Sequence, residues 1–206
     1  TMSPRQQPQK QGLNLIESLS VVTLHHHAQY MKQCCDLVNE EWPRSETARM
    51  LSLSTSCDKL PTCLILITVD KQVIGHCKLT PIPSIPSSCF VESVVISKSM
   101  RGKGLGTFLM RASEEYCKQF LSLATIHLST KGQEKFYEKL GYTVCEPVSI
   151  YGSYFPAKNG APVFKSTMQN AHSQFRSPLP PPMPSQIIED KSPKPNKTYM
   201  VKSILP

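Results

Sequence analysis

The sequence predicts an α/β fold whose central strands run partly parallel. Three observations carry that expectation. From residue 89 onward, apolar β-branched runs and amphipathic stretches alternate as strand, helix, strand, helix, strand. No proline falls between Pro86 and Pro147, although the chain has 18, so a packed core belongs in that stretch. The 206 residues favour one ordinary domain with appendages over two domains.

Each element has its own signal. Residues 1–16 are rich in Gln and Pro and read as disordered. Leu19 to Leu24 is a short strand. From His27 to Trp42, the residues Tyr30, Met31, Cys34, Cys35, Val38 and Trp42 recur at three-to-four spacing, an amphipathic helix that Pro43 ends. Ser45 caps a second short helix reaching about Leu53. Cys63 to Val69 and Val73 to Leu79 flank Asp70-Lys71 as a hairpin. Pro81, Pro83 and Pro86 form a loop, and Cys89 to Ile96 is a buried strand. Arg101-Gly-Lys-Gly-Leu-Gly106 then enters a helix with Leu105, Phe108, Leu109, Ala112, Tyr116 and Phe120 on one face. Ala124 to Leu128 is a strand, Gly132 to Leu140 a helix closed by Gly141, and Tyr142 to Val148 a strand. Residues 149–197 are too long and polar for an ordinary connection and contain Pro178-Leu-Pro-Pro-Pro-Met-Pro184, a polyproline II segment. Thr198 to Ile204 is a last strand. The expected organisation is a disordered segment 1–16 and one domain over 17–206 with a proline-rich insertion at about 166–197.

Composition narrows the partners. The net charge of +8 invites a nucleic-acid reading, but residues 17–146 hold 14 basic and 13 acidic residues and the surplus sits in the flanks, so no nucleic-acid surface is expected. Eight cysteines contain no CxxC pair, which removes zinc-ribbon and thioredoxin-like readings. Most lie within apolar patterns as small buried hydrophobes of a reducing, cytoplasmic setting. The longest apolar run, Cys63 to Val69, is far short of the roughly 20 residues of a membrane span, and no signal peptide is visible. His25-His26-His27 lacks a carboxylate or cysteine at ligand spacing, so it reads as a surface cluster and no metal is expected.

The glycine turn carries the first chemistry. A strand, a glycine turn and a helix place the amides of Gly102, Lys103, Gly104, Leu105, Gly106 and Thr107 at a helix N-terminus, where unpaired N–H groups and the helix dipole favour a phosphate. GxGxxG would need glycine at Thr107, and GxxxxGK[ST] is absent, so dinucleotide and P-loop readings fail. Arg101-Gly102-Lys103-Gly104-Leu105-Gly106 after Val94-Val95-Ile96 resembles motif A of the GNAT superfamily of acyl-CoA N-acyltransferases, and Phe136-Tyr137-Glu-Lys-Leu-Gly141-Tyr142 is similar to its FYxxxGF segment.

The resemblance implies a GNAT fold: a mixed, mostly antiparallel sheet with a central splayed parallel pair and about four helices. It implies acetyl-CoA as cofactor, its pyrophosphate in the glycine loop with Arg101 and Lys103 offsetting phosphate charge, and its pantetheine amides paired with the backbone of Val94, Val95 and Ile96. Tyr137 would donate a proton to the departing thiolate. Ser129 and Thr130 end the neighbouring strand and would contact cofactor or substrate; many members have asparagine where Thr130 stands.

Acyl transfer needs a neutral amine. At pH 7 an α-amine is roughly one part in eight neutral, a lysine roughly one in a few thousand, so an α-amino substrate asks less of the base. Glu92 lies two residues before the cofactor-pairing segment and by strand alternation faces the same cleft, as a general base acting through water; the alternative is a solvated or salt-bridged glutamate. Leu37-Val-Asn-Glu-Glu-Trp42-Pro43-Arg44-Ser45, Arg49, Gly75-His76 and Val91-Glu92-Ser93-Val94-Val95 look like the branch of the superfamily that acetylates the acidic N-terminus of mature actin. Arg44, Arg49, His76 and Lys78 would then clamp an acidic peptide, with Trp42 as a wall. The resemblance also implies that Pro178 to Pro184 binds profilin. Two other readings stay open: an adaptor whose polyproline recruits profilin, SH3 or WW domains, and an acetyltransferase for another amine.

Overall fold

The computed structural model describes residues 18–151 and 197–205. The segment 1–16, the polyproline run and all of the expected insertion except Lys197 lie outside the described residues. Seven strands form one sheet in the order β1 (Leu19–Thr23), β2 (Thr62–Thr68), β3 (Val73–Pro81), β4 (Ser88–Ile96), β5 (Thr125–Thr130), β7 (Thr198–Ser203) and β6 (Thr143–Val144). Every neighbouring pair is antiparallel except β4 with β5. Four α-helices, α1 (Met31–Glu41), α2 (Glu46–Ser54), α3 (Leu105–Gln119) and α4 (Glu134–Lys139), complete the expected α/β fold. None is long and apolar enough to cross a membrane.

Strand alternation divides the core in two. Leu64, Leu66, Cys77, Leu79, Cys89 and Val91 face α3, which answers with Leu105, Leu109, Met110 and Cys117. Cys63, Ile65 and Val95 face α1, whose Cys34, Cys35, Leu37 and Val38 recur at helical spacing. All eight cysteines are free and six are buried, so they serve as small apolar packing groups. Burial pushes the Cys63 thiol up to about 11 and Cys77 up to about 12, which keeps both protonated. At Gly75 an added Cβ would sit 2.9 Å from Ile96 Cδ1 and 3.0 Å from Leu66 Cβ, so glycine lets β3 pass close beneath the β4 and α3 side chains. Lys202 Nζ reaches Glu114 Oε2 at 2.5 Å and ties β7 to α3.

Several boundaries differ from the sequence expectation. β6 is two residues long instead of Tyr142 to Val148: Cys145 N still donates to Tyr199 O at 2.9 Å, but Pro147 has no N–H with which to continue a ladder. The helix expected from His27 begins at Met31 and is preceded by a 3-10 turn, Ala28–Tyr30, while the 3-10 turn Lys98–Met100 carries no periodic signal. α4 starts at Glu134 because Gly132, at φ 82°, still belongs to the turn.

Candidate active site

β4 and β5 are paired only from Ser88↔Thr125 to Val91↔Leu128. Beyond that point β4 continues to Ile96 along β3, while β5 continues to Thr130 along β7. The two strands part, and the β5-facing edge of β4 from Glu92 to Ile96 borders a cleft of about 930 Å³. That volume suits a cofactor-sized ligand.

A bulge accompanies the split. Lys78 stands opposite Glu92, but His76 stands opposite Val95, so β4 carries one extra residue. Ser93 takes it up with φ 52°, and its carbonyl accepts from Nδ1–H of His76 at 3.0 Å. The bulge also reverses the alternation: Glu92 shares a face with Val95, while Val94 packs toward α3. Simple alternation therefore does not place Glu92; the strand's departure from β5 does. Thr80 Oγ1 donates a short hydrogen bond to Glu92 Oε2.

The glycine loop closes one end. Gly102 and Gly104 hold φ 76° and 78°, conformations that side chains disfavour, and an added Cβ on either would meet nothing within 4 Å. Gly104 is the N-cap of α3, with no side-chain cap and no acidic residue in the first turn. The contrast with α2 is informative, since there Ser45 Oγ accepts from Ala48 N at 3.3 Å and Glu46 occupies the first turn. The amides of Leu105, Gly106 and Thr107 are left with neither, which fits an external anion such as a coenzyme pyrophosphate. Arg101 holds the loop: Nε donates to Ile96 O at 2.9 Å and Nη2 pairs with Glu41 Oε2 at 2.7 Å. Its charge is thus shared with a carboxylate. Lys103 stands exposed, Nζ 3.6 Å from Met100 Sδ, and does not line the cleft.

Tyr137 faces the cleft from α4, placed by a Schellman motif. Gly141, at φ 93°, donates to Glu138 O at 2.9 Å and Tyr142 N to Tyr137 O at 3.1 Å. The Tyr137 and Tyr142 rings meet edge-on at 5.8 Å, the apolar contact that accompanies this cap. The Phe-Tyr-x-x-x-Gly-Tyr segment is therefore a helix stop that fixes a phenol. Burial pushes Tyr137 up to about 12, so its phenol stays protonated and suits an acid role.

The candidate cations divide. Arg49 is committed to the corner between α1 and α2, donating from Nε to Asn39 Oδ1 at 2.9 Å and from Nη2 to Trp42 O at 2.7 Å. It positions Trp42, which lines the cleft. Arg44 is exposed, and its side chain makes no ion pair or hydrogen bond with a described residue. Lys78 Nζ rests on Ser52, 3.3 Å from its carbonyl. His76 requires a correction: it is 1% exposed and burial pulls it down to about 4, so it is neutral at physiological pH and adds no cation.

The cleft brings together Trp42, Glu92, Val94, Val95, Ile96, Arg101, Gly102, Gly104, Leu105, Gly106, Thr107, Ser129, Thr130 and Tyr137. It does not include Lys103, Arg44, Arg49, His76 or Lys78. Glu41, Lys131, Gln133, Phe136 and Lys197 also line it, residues to which the sequence assigns no site role. Lys131 follows Ser129-Thr130 directly and Glu41 precedes Trp42, so proximity to chosen residues was the available signal. Lys197 had none, because only the β5–β7 pairing brings it there.

The Acetyltransferase (GNAT) family model matches residues 31–142. N-alpha-acetyltransferase 80 from Mus musculus is 35% identical over 157 residues, 73% of this chain and 48% of its own length. The chain thus spans about half the length of that relative. Among solved structures, the Vibrio cholerae spermidine N-acetyltransferase in complex with CoA and spermine matches with TM-score 0.53 and 19% identity over 63% of this chain and 83% of its own. A GNAT-family acetyltransferase from Staphylococcus aureus MU50 matches with TM-score 0.54 and 10% identity over 91% of this chain and 99% of its own. Both likenesses concern the fold.

Proposed function

Because the chain belongs to the Acetyltransferase (GNAT) family, we propose that it transfers an acetyl group from acetyl-CoA to the α-amino group of an acidic protein N-terminus, mature actin being the candidate. The observation that carries the reading is the parting of β4 from β5 over a cleft that gathers Glu92, Tyr137 and an uncapped helix N-terminus. The relative named N-alpha-acetyltransferase supports an α-amine as acceptor.

The family's cofactor, when bound, supplies the activated acetyl group and a thiolate leaving group. The amides opening α3 would receive its diphosphate, with Lys103 nearby as counter-charge, and the free edge of β4 from Val94 to Ile96 would pair with its amide-bearing arm. Glu92, oriented by Thr80, would take the amine proton through a water. Tyr137 keeps its proton at Oη for donation. Ser129 and Thr130 would position the acceptor at the end of β5. For an acidic peptide, Arg44 offers a guanidinium without a partner among the described residues, Lys78 a second cation, and Arg49 a rigid Trp42 wall. A cytosolic location goes with eight free thiols, and Pro178 to Pro184 would engage profilin.

The test is acetyl transfer followed by mass spectrometry with peptides beginning Asp-Asp-Asp or Glu-Glu-Glu, neutral peptides and polyamines. Preference for the acidic peptides is expected. Turnover of polyamines alone would assign another amine, and no turnover of any acceptor would favour the adaptor reading.

A further inference from the structure

The histidines that lack a carboxylate in sequence meet one in space. Leu24 N donates to Cys63 O at 2.9 Å, which lays the exit of β1 beside the loop joining α2 to β2. There His25 Nε2 lies 3.0 Å and His26 Nε2 3.2 Å from one oxygen, Asp58 Oδ1. The three candidate ligand atoms lie within 4.8 Å of one another. His27 turns away, its Nδ1 bound to Thr23 O at 2.9 Å.

The far side of each converging ring is already held. His25 Nδ1 lies 2.9 Å from Ser56 Oγ, which also accepts from Cys63 N at 2.8 Å, and His26 Nδ1 lies 3.0 Å from Thr23 Oγ1. Metal-binding imidazoles have such a partner on the second nitrogen, fixing ring orientation and tautomer. A hydroxyl serves both states. Without metal it donates to Nδ1 while Nε2–H points at Asp58; with metal on Nε2 the proton sits on Nδ1 and the hydroxyl accepts it. The hydrogen bond at Nδ1 survives the change of tautomer, and the two Nε2–H···Oδ1 bonds are exchanged for coordination. The 3.0 and 3.2 Å separations are close to the edge of a tetrahedron built on bonds of roughly 2.0–2.2 Å.

We propose that His25, His26 and Asp58 form a zinc site with water in the fourth position. Two imidazoles and a carboxylate suit zinc, whereas magnesium and calcium take oxygen ligands. The side chains of His26 and Asp58 are 59% and 73% exposed, which leaves a path for the ion and room for the water. Binding forms two Zn–N bonds and one Zn–O bond in exchange for hydration waters of the ion. The ion links two loops about thirty residues apart in sequence, so its role is to staple the sheet edge beside α2.

The test uses the full chain, kept reduced, titrated with zinc by calorimetry and with cobalt(II) by absorption spectroscopy. One metal bound through nitrogen and oxygen is expected, with Asp58→Asn and His26→Ala each weakening binding by about tenfold or more and His27→Ala leaving it unchanged. The two ligand variants are read independently, so a misfolded one leaves the other to decide. Absence of binding, wild-type affinity in either folded ligand variant, or a thiolate-to-cobalt charge-transfer band pointing to Cys57 would overturn the site.

Discussion

His76 Nδ1 lies 3.0 Å from Ser93 O, so a buried imidazole on β3 holds the carbonyl of the bulged residue of β4. The bulge sits where β4 leaves β5, which makes His76 a positioning residue for the cleft. His76→Ala removes the donor and opens a cavity; we expect a loss of about 2–4 kcal/mol in urea denaturation. A loss below about 0.5 kcal/mol would show that the bulge holds itself.

The same burial sets a pH dependence. In the folded chain His76 is pulled down to about 4 from an ordinary 6.5, so the unfolded chain binds the extra proton between those values. Stability from this group is complete above pH 6.5, falls as pH drops, and levels off below about 4. From pH 7 to pH 5 the loss is about 2 kcal/mol. Denaturation of wild type and His76→Gln at both pH values checks this: the pH-dependent part should shrink by that amount in the variant.

Tyr137 stays protonated to about pH 12 because it is buried, so in the proposed reaction it would serve as an acid. Tyr137→Phe should lower kcat by about a hundredfold with little change in KM for acetyl-CoA. In wild type the phenol's ionisation should produce no fall in rate below about pH 11. Unchanged kcat in the phenylalanine variant would leave Tyr137 as packing against Phe136 and Tyr142.

Arg44 and Arg49 look equivalent in sequence, yet their surroundings separate them. Arg44→Ala should raise KM for an acidic peptide and leave the melting temperature unchanged, because its side chain has no described partner. Arg49→Ala should also destabilise the fold by about 1.5–3 kcal/mol, since it breaks charged hydrogen bonds to Asn39 and the Trp42 carbonyl. Peptide titrations together with thermal melts distinguish the two; matching melts would remove the structural role from Arg49.

Which features were legible follows from their range. Ser45 as a cap, the α1 face of Cys34, Cys35 and Val38, and the glycine loop are set by residues within a few positions of one another, and the sequence states them. The Phe136 to Tyr142 segment was recognisable as a pattern, but its Schellman geometry explains why the pattern places a phenol. What escaped depends on strands distant in sequence. The bulge that neutralises alternation at Glu92, the burial of His76, the Arg101–Glu41 pair and the meeting of Asp58 with His25 all arise between elements whose register no local signal encodes. Charge type alone therefore misassigned His76, since a histidine beside cations on an exposed strand and one sealed beneath a bulge share the same letter.

Two glycines separate packing from ligand contact. Gly75→Ala drives a Cβ to within 2.9 Å of Ile96 Cδ1 and 3.4 Å of Leu109 Cδ2, so it should cost about 1–3 kcal/mol by overpacking while coenzyme A affinity stays close to wild type. Gly102→Ala meets nothing within 4 Å, and its cost is the left-handed backbone at φ 76°, roughly 1–2 kcal/mol. Its methyl group, however, points into open space beside the amides that open α3. Coenzyme A affinity should fall about tenfold or more in that variant, because a diphosphate seated on those amides needs close approach to a bare backbone. Calorimetry on both variants decides the matter: a Gly102→Ala protein that bound coenzyme A as tightly as Gly75→Ala would move the diphosphate away from the glycine loop.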